Sequence, residues 1–325
     1  MKTNRIVLIT FIAVGLIGGC KKTGSDDPVT PGPNTPAADG IFSTLFAQNI
    51  ANATEQFNLN ASSGGVLLSA RGTELDFEPG AFTYVDGSPV VGSVQVSLVE
   101  VLTVSDMILL NKQTVGNDNG TMRVLRSGGA INVYATQGGT PVRIGEGGLV
   151  ASIATNVGDP SMELFTGNED ADGNMIWDPI DSGIVTVDSA YYDSTDYTYT
   201  FPYYFYYDIG GPTDLNWINC DYWWNAPNTT TINATLPAGQ SSDSTLVWLV
   251  MPSINSVISM YYAGSQTYNS LNIPVGTEAA VVGLRQTASG YSSSFTPVTI
   301  SAGMSVPMTF SPTTLEQFEA DVNAL

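Results

Sequence analysis

Side chains that carry reactive chemistry are unevenly supplied in this chain of 325 residues. There are 30 Asp and Glu against ten Lys and Arg, with two cysteines and no histidine. Without histidine, Ser-His-Asp and Cys-His activation of a nucleophile has no base. Imidazole-ligated zinc and iron sites lose their ligand, and two cysteines are too few for a thiolate cluster. No Gly-x-Gly-x-x-Gly opening a helix and no Walker-type loop is present. Paired-carboxylate chemistry needs only two acids at the right separation. A carboxylate-based hydrolase therefore stands as an alternative, while the main expectation is a protein that is not an enzyme and needs no cofactor.

Two further groupings are chemically suggestive. Asn168-Glu169-Asp170-Ala171-Asp172-Gly173-Asn174 sets oxygen-bearing side chains at alternating positions around a glycine. Calcium takes six to eight oxygens, and alternation lets short carboxylates converge, so Asp170, Asp172 and Asn174 are candidate ligands of a structural calcium. The EF-hand spacing fails because no glutamate closes the loop, and the competing reading is a solvated Asp-Gly turn. The second grouping is aromatic. Ten Tyr and Phe side chains lie between Tyr191 and Tyr207, followed by Trp217, Tyr222, Trp223 and Trp224. On a strand, Tyr203, Phe205 and Tyr207 face one way and Tyr204 and Tyr206 the other. One face fills a core; the other is buried too or forms a contact patch. Trp217, Tyr222, Trp223 and Trp224 are candidate ligand contacts, since flat rings stack on sugars.

The elements that position these residues are strands. Val94, Val96 and Leu98 alternate with polar neighbours, as do Ile131, Val133 and Ala135, then Ile232, Ala234 and Leu236, then Val306, Met308 and Phe310. Period two with one polar face predicts half-buried antiparallel strands. Turn pairs separate the runs: Asp86-Gly87, Asn119-Gly120, Gly128-Gly129, Gly138-Gly139, Gly147-Gly148 and Asp172-Gly173. Helix is predicted only at the two ends. Phe42, Leu45, Phe46 and Ile50 recur at helical spacing within 41–52. Leu315, Phe318, Val322 and Leu325 share a face after a Thr-rich capping signal. The fold expected is all-β: two β-sandwich domains in tandem with short terminal helices, after a signal peptide and a disordered tether. The boundaries predicted are 1–19 for the signal, 20–40 for the tether, 41–187 and 198–325 for the sandwiches, and 188–197 for a linker.

The N-terminus carries Lys2 and Arg5, then a twelve-residue apolar stretch from Ile6 to Ile17 interrupted by Thr10, then Gly18, Gly19 and Cys20. Twelve residues do not span a bilayer, which takes about 20, so the segment reads as an export signal. Ile17-Gly18-Gly19-Cys20 resembles the lipobox of bacterial lipoproteins. The resemblance implies cleavage after Gly19 and acylation of Cys20, and two acyl chains suffice for stable anchoring. Residues 21–40, with Pro28, Pro31, Pro33 and Pro36, have almost nothing to bury and read as a semi-rigid tether. The segment Arg71-Gly72-Thr73-Glu74-Leu75-Asp76-Phe77-Glu78-Pro79-Gly80-Ala81-Phe82 is similar to the start of a ZU5-type β-sandwich. Through Glu100-Val101, Ser105-Asp106-Met107, Leu125-Arg126-Ser127-Gly128-Gly129-Ala130, Met162-Glu163-Leu164-Phe165 and Trp217-Ile218-Asn219-Cys220-Asp221, most of 55–225 resembles envelope lipoproteins of Bacteroidota. Asp188-Ser189-Ala190 resembles their O-glycosylation acceptor, which makes Ser189 a candidate.

Charge narrows the partners. The net charge is −20, and loss of Lys2 and Arg5 with the signal leaves −22. Such a chain repels nucleic acid and anionic lipid surfaces. The function expected is a membrane-anchored envelope lipoprotein, at the outer membrane, with a non-catalytic binding, adhesion or scaffold role toward a glycan or an envelope protein. A carbohydrate-binding accessory role through an aromatic face is the alternative. With Cys20 lipidated, Cys220 has no disulfide partner and reads as a small buried side chain.

Overall fold

A computed structural model describes residues 38–145, 147–169, 174–180, 184–189, 205–210 and 216–325. Among these, strands dominate and helices are three: Ala38–Ala53, Val104–Leu109 and Leu315–Val322. The all-β class and both terminal helices are thus as the hydrophobic spacing predicts. The first helix buries Phe42 and Phe46 and half-covers Leu45 and Ile50. The last starts at Thr314, whose hydroxyl accepts from the Gln317 N–H at 3.1 Å, and buries Phe318 and Val322. The short middle helix was not expected. It is nucleated by a capping box between Thr103 and Asp106, a signal present in the sequence but followed by too few turns to show a period.

The largest sheet runs in the order Glu55–Asn60, Ser93–Val101, Thr121–Gln137, Trp217–Trp223, Glu163–Glu169, Met175–Pro179 and Val115–Asp118. Val115–Asp118 also pairs back onto the start of Thr121–Gln137, so five of these strands close into a ring. Closure brings the backbone of Gly116 under Trp223, where a Cβ would stand 2.7 Å from the indole. The glycine is needed for that approach. A five-stranded sheet, ordered Ile184–Ser189, Phe205–Gly210, Leu149–Thr155, Glu74–Phe77 and Gly65–Leu68, packs on one face of it. Val94, Val96, Leu98, Ile131 and Val133 meet Leu75, Phe77, Ala151, Ile153 and Tyr207 between them. In the C-terminal part, a second pair of sheets meets through Ile232, Ala234, Tyr268, Val247, Leu249 and Val281.

The expected break at 188–197 does not divide these sheets. Phe205–Gly210 pairs with both Leu149–Thr155 and Ile184–Ser189, and Trp217–Trp223 pairs with Thr121–Gln137 and Glu163–Glu169. Both strands complete the sheets of the N-terminal half, and the described residues fall within a single unit. Strand partners far apart in sequence are chosen by packing, which composition along the chain does not report. Gly128-Gly129 likewise lies inside Thr121–Gln137 rather than at a turn. It sits where the facing strand shifts register between Cys220 and Asp221. A Cβ on Gly128 would overlap the Tyr207 ring and lie 2.8 Å from the Cys220 carbonyl oxygen.

Between the two sheet pairs lies a third core. Val99, Leu125, Phe165, Met175, Trp177 and Trp217 come from the N-terminal half; Leu246, Trp248, Val250 and Val282 come from the C-terminal half. All three helices plug this layer through Phe42, Phe46, Met107, Ile108, Phe318 and Val322. Thr245–Met251 is buried along its whole length because it serves both this core and the C-terminal one. A buried polar segment, Asn111 to Thr114, crosses the same junction. Gln113 donates to the Met175 carbonyl at 3.0 Å and accepts from the Ser259 N–H at 3.1 Å, while its own carbonyl takes the Trp177 indole N–H at 2.7 Å. Thr114 pairs with Val257 through both backbone and hydroxyl.

Removing the Gln113 side chain orphans a buried acceptor and a donor at once. Gln113→Ala is expected to lower unfolding free energy by about 3 kcal/mol, read as a shift in the chemical-denaturation midpoint at unchanged slope. A loss below about 0.5 kcal/mol would show that the joint contributes nothing.

Candidate functional site

The aromatic residues singled out in sequence do not share a face. Trp217 is buried, with the Lys112 ammonium 5.2 Å from its ring centroid. Tyr222, Trp223 and Trp224 are half-buried, and each packs on a different core: Tyr222 on the N-terminal one, Trp223 on the junction, Trp224 on the C-terminal one. Trp223 stands edge-on to Phe165 with centroids 5.2 Å apart and carries the Arg123 guanidinium at 5.1 Å. These rings link cores and form no common platform. Tyr207 is fully buried; the aromatic block from 191 to 204 lies outside the described residues. So do Cys20, Asp170 and Asp172. Asn174 is buried just before Met175–Pro179. Ser189 ends the strand Ile184–Ser189, opposite Phe205, and its side chain lies outside the described residues.

A cleft of about 310 Å³ opens where the two halves meet. Arg126, Asn156 and Thr155 line it from the N-terminal half, and Ser253 and Asn255 from the C-terminal half. Arg126 is placed by Thr121–Gln137 and donates to Asp159 at 2.8 Å. The loop bearing Asp159 is fixed by Tyr207, whose hydroxyl accepts from the Asp159 N–H at 2.7 Å and donates to the Asp159 carbonyl. Burial pushes the Tyr207 phenol well above its ordinary value, so it stays protonated. Asn255 adopts φ 47° and donates to the Leu102 and Ser127 carbonyls at 3.0 and 3.1 Å. Asn tolerates the left-handed region better than most residues. The arrangement offers a guanidinium neutralised by a carboxylate, amides and a hydroxyl. That set presents both hydrogen-bond donors and acceptors to the cleft. Sequence reasoning gave no chemical role to Arg126, Asp159 or Asn255, because no spacing along the chain links them and strand pairing alone brings them together.

The buried carboxyls stand elsewhere. Glu100 accepts from Ser69 at 3.0 Å, and burial raises its pKa. Asp221 is wholly enclosed. Asn219 donates to its Oδ2 at 2.6 Å, Oδ1 has no hydrogen-bond partner, and burial holds the group well above the carboxylate range. Neighbouring Cys220 is raised for the same reason, which makes it an unreactive thiol. Neither Glu100 nor Asp221 lines the cleft. Arg71 bridges Asp106 at 2.8 Å, and Asp106 also accepts from the Leu102 and Thr103 N–H groups, so this cluster secures the middle helix.

Comparison with family models, curated proteins and solved structures finds no match.

The raised carboxyls set a pH dependence. Glu100 and Asp221 bind protons more tightly folded than unfolded, so their contribution is fullest below the ordinary values of 4.5 and 3.8 and is lost as pH rises through the folded values. Asp86 and Asp118 shift the opposite way but stand at the surface, where solvent screens them. Melting temperature is therefore expected to rise on going from pH 8 to pH 5, and Asp221→Asn should flatten that slope. A variant with the wild-type slope would remove Asp221 from the account.

Proposed function

We propose that the chain is an exported lipoprotein, held on the cell envelope through lipid on Cys20, whose β-sheet body has a non-catalytic binding or scaffold role. The observation that supports this most directly is the first helix. It begins at Ala38, where the proline-rich segment ends, and inserts Phe42 and Phe46 into the core that joins both halves of the body. Tension on an anchor at Cys20 would then fall on a packed inner layer rather than on an edge strand. Seventeen residues, 21–37, separate the lipobox cysteine from that helix. They span at most about 61 Å, which keeps the body near the membrane. The net charge of −20 removes electrostatic adsorption to anionic lipid as a rival means of attachment. The ZU5-like segment fits the same reading as a sandwich module, and the cleft at Arg126 gives the body a place for a small polar ligand.

Fractionation of expressing cells tests the anchor. Wild type is expected with the membranes after a high-salt wash, and Cys20→Ser in the soluble fraction with unchanged melting temperature. A Cys20→Ser protein that stays with the washed membranes would overturn the proposal.

A further inference from the structure

One outer face of the N-terminal sheet pair carries no charge among its described residues. It is formed by Glu55–Asn60, Ser93–Val101 and the C-terminal part of Thr121–Gln137. The register sets Gln56, Ser97 and Tyr134 in one row and Asn58, Gln95 and Thr136 in the next. Alternate residues Val94, Val96, Leu98, Val133 and Ala135 point the other way into the core, so these six point out. Gln56, Asn58 and Gln95 are exposed, and Tyr134 is 47% exposed. Among these side chains the one hydrogen bond is Gln95 to Gln56 at 3.2 Å, which leaves most of their donors and acceptors open. The opposite outer face, on the five-stranded sheet, shows the contrast: Glu74, Asp76 and Asp208 project there.

The geometry points to this amide and hydroxyl face, centred on Tyr134, as a docking surface for a neutral polysaccharide. The inference builds on the reading of the body as a binding module and names its partner by chemistry. Charge decides between partners. A chain of net charge −20 repels polyanions, and this face offers no cation to reverse that. A cationic partner would be drawn instead to the carboxylates of the opposite face. A protein partner would need an apolar centre, and Tyr134 is the one large apolar side chain exposed on these rows. Sugar hydroxyls, which both donate and accept, match side-chain amides that do the same. The Tyr134 ring supplies a flat apolar body for the C–H face of a pyranose, with its hydroxyl free at the rim. Three antiparallel strands about 4.8 Å apart present these groups at regular intervals, which suits a repeating chain more than a single small molecule.

Affinity electrophoresis of the full-length protein in mild detergent tests the surface, using gels cast with dextran, glucomannan or xyloglucan and a gel with polygalacturonate. Retardation is expected in at least one neutral gel and not in polygalacturonate. Tyr134→Ala should weaken it about tenfold, and Gln95→Glu with Asn58→Asp should abolish it. Glu74→Gln with Asp76→Asn, on the opposite face, should leave it unchanged. Melting temperatures within a degree or two of wild type would show that the variants are folded. No retardation in any neutral gel, retardation in polygalacturonate alone, or binding indifferent to Tyr134→Ala and to the added charges would overturn the inference. None of these results bears on the anchor, which membrane fractionation of Cys20→Ser reports separately.

Discussion

The contact between the two sheet pairs, made by Trp177 and Trp217 on one side and Trp248 on the other, is what the remaining structure is arranged around. Large aromatic surfaces bury more area per residue than any other side chains, and here they are recruited from three strands spread over 71 positions of the chain. The helices are subordinate to this layer. Phe318 lies 6.3 Å from Trp248 and 5.7 Å from Phe295, ring centre to ring centre, so the C-terminal helix is a plug in the junction. Asn49 donates to the Leu109 carbonyl at 2.8 Å, and Ser105 meets Asn323, which tie the three helices to each other.

A junction filled only with apolar groups would slide. The buried run Asn111 to Thr114 supplies direction, because each of its hydrogen bonds has a fixed geometry and costs more to leave unmade than to make. Lys112 illustrates how tightly the segment is constrained. Its ammonium is buried between the Trp217 ring and Glu169 at 3.3 Å, and desolvation lowers its pKa despite that partner. Such a group adds little net stability but punishes any alternative packing.

The charge economy follows. Arg71, Lys112, Arg123 and Arg126 all engage a carboxylate of their own chain, so the scarce cations are spent on holding loops and helix ends. Among the described residues, Glu100 and Asp221 are the only acids drawn inside, at a cost that rises with pH. An uncharged sheet face within so acidic a chain is therefore a local property of the strands Glu55–Asn60 and Ser93–Val101, set by their Gln, Asn and Ser content.

Local physics made part of this legible in the sequence. Period-two alternation at 94–98 and 131–135 determined strands and which side chains go inside, because the pleat turns every second residue the same way. Helical spacing at Phe42, Phe46, Phe318 and Val322 determined the two terminal helices, and the lipobox-like Cys20 rests on short-range pattern alone. Tertiary structure alone decided the rest. That 205–223 completes the N-terminal sheets, that Gly128-Gly129 lies within a strand against Tyr207, and that Trp217, Tyr222, Trp223 and Trp224 serve three cores all depend on pairing across long sequence separations. The cleft at Arg126, Asn156 and Asn255 has the same origin. No residue of the set influences the backbone of another until packing brings them together, so no spacing along the chain could have announced it.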